Sequence, residues 1–152
     1  MKEIQLTQGK VALVDDEDFE KLNKFKWCAK KGRNTYYVIR WNKGKTIYIY
    51  HEIMGKPPKG LMIDHEDKSA LNNQKSNLRF VTNRQNQQNR INSIKISQYP
   101  GVNWARGIKR WYTRIQINGV QKHLGYFTSE LDTFNTYKEA VHCLGEKMIG
   151  EF

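Results

Sequence analysis

At 152 residues the chain is one ordinary domain or two small ones. Its 26 Lys and Arg against 15 Asp and Glu give a net charge of +11, and 12% aromatic residues are too many for a disordered basic tail. No apolar run approaches a membrane span, Met1 to Gln5 offers no leader core, and Cys28 and Cys143 stand far apart, which argues against a membrane protein, a secreted disulfide framework and a Cys-based zinc site. The first segment reads as short strands over 3–6 and 10–14. Asp15 to Asp18 then offer an N-cap and first-turn negative charge for a short helix carrying Phe19, Leu22 and Phe25. Strands are predicted over 27–30, 36–41 and 46–51, with turns at 31–34 and 42–45. Residues 52–55 extend the last strand or start a helical turn, and Pro57-Pro58-Lys59-Gly60 is a break.

Leu61 to His65 reads as a short strand ending in two polar residues, followed by a polar loop over 66–76 and a second strand over 77–81. Thr82 caps a helix predicted to run to about residue 92. Residues 93–98 read as a linker. Beyond them the pattern gives three antiparallel strands over 102–106, 111–117 and 121–127, with an Asn118-Gly119 hairpin turn. Ser129 caps a helix over about 130–149 that places Leu131, Phe134, Tyr137, Val141, Leu144 and Met148 on one face, with Gly145 a point where it can end early. The expected layout is two modules, residues 1–92 (core motif about 61–92) and residues 99–152.

Charge is not spread evenly. Residues 1–20 hold two basic and six acidic side chains, whereas no Asp or Glu occurs from Lys68 to Ser129. That stretch mixes Lys and Arg with Asn, Gln, Trp and Tyr, a composition suited to tracking phosphates and reaching base edges. Nucleic acid is therefore the expected partner.

Asp64-His65 is the strongest catalytic pair. A carboxylate and an imidazole in succession on a strand point to opposite faces, so one can hold a metal and the other handle a proton. Phosphodiester hydrolysis needs both services, and a neutral imidazole suits the base. Asn77 and Asn86 can ligate a hard cation or orient an imidazole. His51, in Tyr50-His51-Glu52, can touch substrate or serve the fold, and its role stays open.

Asp64-His65, Asn72-Asn73-Gln74-Lys75-Ser76-Asn77-Leu78-Arg79 and Thr82-Asn83-Arg84-Gln85-Asn86 together resemble the HNH nuclease motif, in the Asn-ending variant of phage and intron-encoded homing endonucleases. Leu6 to Asp15 and Lys26-Trp27 are similar to the N-terminal parts of such proteins, so the likeness spans about residues 1–92. The resemblance implies an α+β fold: a ββα-metal nuclease module with extra N-terminal strands. It implies His65 as general base, Asp64 and Asn86 as ligands of one divalent ion (Mg²⁺ or Mn²⁺), and Asn77 as the residue that orients the histidine. Glu52 stands where relatives usually carry Arg, which removes a phosphate contact and adds negative charge near the site.

In the second module the middle strand separates Trp111, Thr113, Ile115 and Ile117 from Tyr112, Arg114 and Gln116. The polar set, with Asn103, Arg106, Gln121 and His123, forms an open face suited to a DNA groove. Tyr99-Pro100-Gly101-Val102, Trp111 and His123-Leu124-Gly125-Tyr126-Phe127 resemble the DNA-binding domain of plant ethylene-response factors, a three-stranded antiparallel sheet packed on one helix. That resemblance implies major-groove reading by the open sheet. The full set of expected DNA contacts is Asn103, Arg106, Arg114, Gln116, Gln121, Lys122, His123, Arg79, Arg84 and Arg90. The expected function is a homing-type, strand-nicking DNA endonuclease acting as an intracellular monomer on double-stranded DNA in a phage or its bacterial host. The alternative is a non-catalytic, sequence-specific DNA-binding regulator that retains the nuclease scaffold.

Overall fold

The computed structural model describes residues 1–32, 34–89 and 96–148. The chain divides into two compact units, Met1–Asn86 and Gln87–Phe152. In the first, β1 (Lys2–Gln5) and β2 (Val11–Val14) form an antiparallel hairpin whose alternation turns Ile4, Ala12 and Val14 inward. α1 (Asp16–Leu22) adds Leu22 to the same core. β3 (Cys28–Lys31), β4 (Tyr36–Asn42) and β5 (Lys45–Tyr48) make a three-stranded antiparallel meander. Trp27, Val38 and Ile49 complete the core, and the Trp27 indole N–H donates to the Leu22 carbonyl at 2.8 Å, so the ring is buried with its donor satisfied.

The strand predicted over 46–51 stops at Tyr48, and α2 (Ile49–Met54) follows. A strand would carry Tyr50 and Ile49 to opposite faces in step with Ile47. A helical turn instead brings Ile49 and Ile53, four residues apart, onto the same core. After the Pro57-Pro58 break, β6 (Leu61–His65) pairs antiparallel with β7 (Leu78–Thr82), with Asp64 opposite Arg79 and His65 opposite Leu78. α3 (Asn83–Asn89) opens on a reciprocal cap: the Gln85 N–H donates to Thr82 Oγ1 at 3.3 Å and the Thr82 N–H to Gln85 Oε1 at 2.9 Å. Residues 90–92 of the predicted helix and 93–95 of the expected linker lie outside the described residues.

The second unit holds β8 (Val102–Ala105), β9 (Arg110–Ile117) and β10 (Val120–Phe127), with β9 central. A bulge at Leu124 breaks the register between His123 and Gly125. α4 (Glu130–Cys143) starts at Ser129, whose Oγ accepts the Asp132 N–H at 3.2 Å. It ends six residues before the furthest expected point. The Gly145 N–H bonds the His142 carbonyl at 2.8 Å and the Glu146 N–H the Val141 carbonyl at 3.3 Å, with Gly145 at φ +72°. Phe134, Tyr137 and Val141 are buried, but Leu131 and Leu144 are 51% and 37% exposed. At about 100° per residue Leu131 lies roughly a quarter-turn off the stripe those three define, and Leu144 falls at the cap. Among the described residues no helix is long and apolar enough to cross a membrane.

Candidate active site

The β6–β7 ladder ends at the two residues the sequence singled out. Asp64 and His65 are 8% and 7% exposed. Antiparallel pairing sets Arg79 directly across from Asp64, on the same face. Its Nε and Nη2 both donate to Asp64 Oδ2, at 3.2 and 3.1 Å, while Nη1 reaches Glu66 Oε1 at 2.8 Å. Two carboxylates thus clasp one guanidinium, which suits its forked donors. His65 faces the other way. Its ring stands nearly perpendicular to that of Tyr50, 5.6 Å between centroids, and its Nε2 lies 3.2 Å from Asn73 Oδ1. Burial pushes the imidazole below its ordinary pKa, against the opposing Asn73 bond and the Asp64 and Asp67 charges.

Asn77 is buried close by but does not touch the imidazole as expected. Its Oδ1 accepts the Asp67 N–H at 2.9 Å, and its Nδ2 donates to Asp67 Oδ1 at 3.0 Å and to the Asn72 carbonyl at 2.8 Å. Asn77 therefore closes the loop between β6 and β7, and the amide at His65 is Asn73, which the residue pattern left unassigned. Both are asparagines in a polar loop. What separates them is that Asn73 is fully enclosed by contacts from β2, a pairing with no local signature. Asp67 is bound from several sides. Partial burial raises its pKa, but bonds from Asn72, the Ser69 N–H and Asn77 outweigh that and hold it below the ordinary range.

Asn86 lies on α3, where its Nδ2 donates to Met62 Sδ at 2.9 Å. Met62 and Asp64 are two apart on β6 and share a face, so Asn86 sits on the Asp64 side of the strand. Asp64 and Asn86 offer oxygen donors, the class that hard divalent ions take. Among the described residues no cluster of three or more His, Cys, Asp or Glu stands ready to hold a metal.

His51 is exposed on α2, its Nδ1 3.5 Å from the Gly55 carbonyl, and Tyr50 lies between it and His65, with ring centroids 4.7 and 5.6 Å away. Glu52 does not add an open negative charge. Its carboxylate meets Arg40 at 3.1 Å, and the guanidinium lies over Phe25 and Trp27.

The expected DNA contacts are scattered between the two units. Arg79 is engaged by Asp64 and Glu66, Arg84 is half-buried on α3, and Arg90 lies outside the described residues. In the second unit Arg106 is exposed in the β8–β9 turn. Register places Asn103, Arg114, Gln116, Gln121 and His123 on the sheet face away from α4. Arg114 Nη1 donates there to Gln121 Oε1 at 3.1 Å, and His123 packs with Tyr112 and Tyr126. Lys122 departs from the expected set. It pairs with the buried Ile115 and so belongs to the opposite face.

Residues 43–88 match the family described as HNH endonuclease. The chain is also similar to a protein of Acanthamoeba polyphaga mimivirus named as an uncharacterized HNH endonuclease. The two are 28% identical over 149 residues, which cover 95% of this chain and 74% of the relative. No solved structure matches significantly. The matched segment contains the whole β6–β7 ladder with Asp64, His65, Asn73, Asn77 and Asn86, and the two likenesses together support a DNA endonuclease.

Proposed function

We propose that this endonuclease is metal-dependent and homing-type, and that it nicks one strand of double-stranded DNA as a monomer. The observation that carries the reading is a buried imidazole, kept below its ordinary pKa by burial, beside a carboxylate at one strand end. Such an imidazole is neutral at working pH and can accept a proton from the attacking water. Asp64 and Asn86, on one side of β6, would hold a single Mg²⁺ or Mn²⁺; a set with one carboxylate suits an ion that keeps much of its own water. A bound divalent ion supplies stabilisation of charge developing on the phosphate and the leaving oxygen. One such centre per chain makes a nick the simplest product. The viral source of the relative agrees with a mobile-element setting.

Recognition would fall to the second unit. Its open face gathers Arg114, Gln116, Gln121, His123 and Asn103, with Arg106 at the rim, so charge, amides and rings face one way in the manner a major groove accepts. The test uses supercoiled plasmid bearing the presumed target, with Mg²⁺, Mn²⁺ or EDTA. Wild type should yield open circles with metal and none with EDTA, and His65→Ala should lower the rate by about 10²–10⁴-fold. Equal conversion by wild type and His65→Ala would remove His65 from the chemistry. Linear plasmid as the first product would remove the nicking claim.

A further inference from the structure

Asn73 is the fully enclosed side chain beside His65, and its orientation is fixed by what it touches. Its Nδ2 donates to the Ala70 carbonyl at 3.1 Å. A carbonyl only accepts, so this contact assigns the amide nitrogen to the Ala70 side and the oxygen to His65. That oxygen, 3.2 Å from His65 Nε2, can likewise only accept. The hydrogen between them therefore belongs to Nε2. A neutral imidazole has one N–H, so Nδ1 carries the lone pair.

The amide is held from a distant part of the chain. The Asn73 N–H donates to the Leu13 carbonyl at 2.8 Å, and the Leu13 N–H donates to the Leu71 carbonyl at 2.9 Å, which bridges β2 to the loop on both sides of Asn72. Just beyond, the Asp15 carboxylate accepts the Lys75 N–H at 2.7 Å and Gln74 Nε2 at 3.2 Å. Lys75 Nζ then pairs with Glu17 and with Asp18. Residues 13–18 thus grip residues 71–75, and they lie outside the matched segment 43–88.

We propose that Asn73, gripped by the end of the N-terminal hairpin and the start of α1, is the positioning residue that fixes His65 in its Nε2–H tautomer and leaves Nδ1 as the basic nitrogen. This rests on the reading of His65 as general base. A base in the wrong tautomer presents an N–H where a lone pair is needed, and correct geometry does not rescue it. The N-terminal hairpin, which contributes no reacting group, thereby becomes part of the catalytic apparatus.

The tautomer is read directly by two-bond ¹H–¹⁵N NMR of the full chain with ¹⁵N-labelled histidine at pH 8, the His65 signals among the four histidines being assigned with His65→Ala. Wild type should show protonated Nε2 and pyridine-type Nδ1. Asn73→Ala should give mixed or reversed tautomers and a cleavage rate about 10- to 100-fold lower, with KM for DNA little changed. Asn73→Asp retains an acceptor and should restore the Nε2–H signature. An Nδ1–H tautomer in wild type overturns the inference, as does a wild-type tautomer in folded Asn73→Ala. The wild-type spectrum needs no variant, so loss of folding in Asn73→Ala does not shelter the proposal. Wild type that shows Nε2–H but cuts no DNA upholds the positioning contact and removes the base role. Wild type that cuts DNA with an Nδ1–H imidazole does the reverse.

Discussion

At residue 65 burial and hydrogen bonding act on one imidazole in opposite directions, and burial prevails. The folded-state pKa lies below the unfolded value of 6.5, so the native state binds fewer protons than the unfolded chain. The stability this confers is fully present above that value and is lost as pH falls through the folded pKa. Thermal unfolding of wild type from pH 8 to pH 5 should therefore show a Tm that drops with acidification, and His65→Gln should flatten the part of the drop that begins near 6.5. An unchanged profile in the variant would place the acid sensitivity elsewhere. Across the ladder, Arg79→Ala leaves Asp64, itself 8% exposed, without its main cation. The expected cost is about 1–3 kcal/mol in urea unfolding, because a nearly enclosed carboxylate loses two bonds while Arg79 itself is partly open to water. The place of Asp64 and His65 at the end of a strand was legible from the sequence. Asn73 was not, because a loop asparagine becomes special only when β2 closes over it.

The starts of α3 and α4 were legible because capping chemistry is local. Ser129 and Thr82 cap α4 and α3 as their positions predict, and Gly145 ends α4. Ser129→Ala should cost about 1 kcal/mol by loss of the bond to the Asp132 N–H, measurable by urea titration of the whole chain. Gly101 is a harsher test. It has φ +75°, and an added Cβ would lie 2.6 Å from the Tyr137 ring. Tyr137 is buried against the sheet, so Gly101→Ala should cost about 2 kcal/mol or more, combining backbone strain with overpacking. A cost below that of Ser129→Ala would show that the ring yields freely. Two expectations at this scale met tertiary packing and gave way. Ile49 enters the core as part of α2 rather than of a strand, and Asp15 makes no side-chain cap to α1. Its carboxylate is taken by Gln74 and Lys75, partners 59 and 60 residues away that no helix rule could foresee.

Over the whole molecule the uneven charge has partners as well as a direction. Two cations early in the acid-free run from Lys68 to Ser129 are engaged by acids from before it: Lys75 by Glu17 and Asp18, Arg79 by Asp64 and Glu66. Arg114 stands differently, exposed on the sheet face away from α4 with a neutral amide as its neighbour. If that face tracks DNA, Arg114→Ala should weaken binding and reduce the slope of log K against log salt by about 1. Lys122→Ala, on the opposite face, should change the slope less. Equal effects would mean that sheet register does not decide which cations meet phosphate.

Sequence alone determined what depends on neighbours along the chain: a folded basic protein, the order of most strands and helices, the caps of α3 and α4, and the Asp64–His65 pair within an HNH-like pattern. Periodicity, capping and turn chemistry act over a few residues, so they survive reading in one dimension. Tertiary structure decided which residues meet. It joined Leu13 to Asn73, Asp15 to Lys75 and Glu52 to Arg40, gave His65 its amide, and put Lys122 on the face of Ile115. Those contacts depend on how elements close over one another, and burial then sets the chemistry of the groups they enclose.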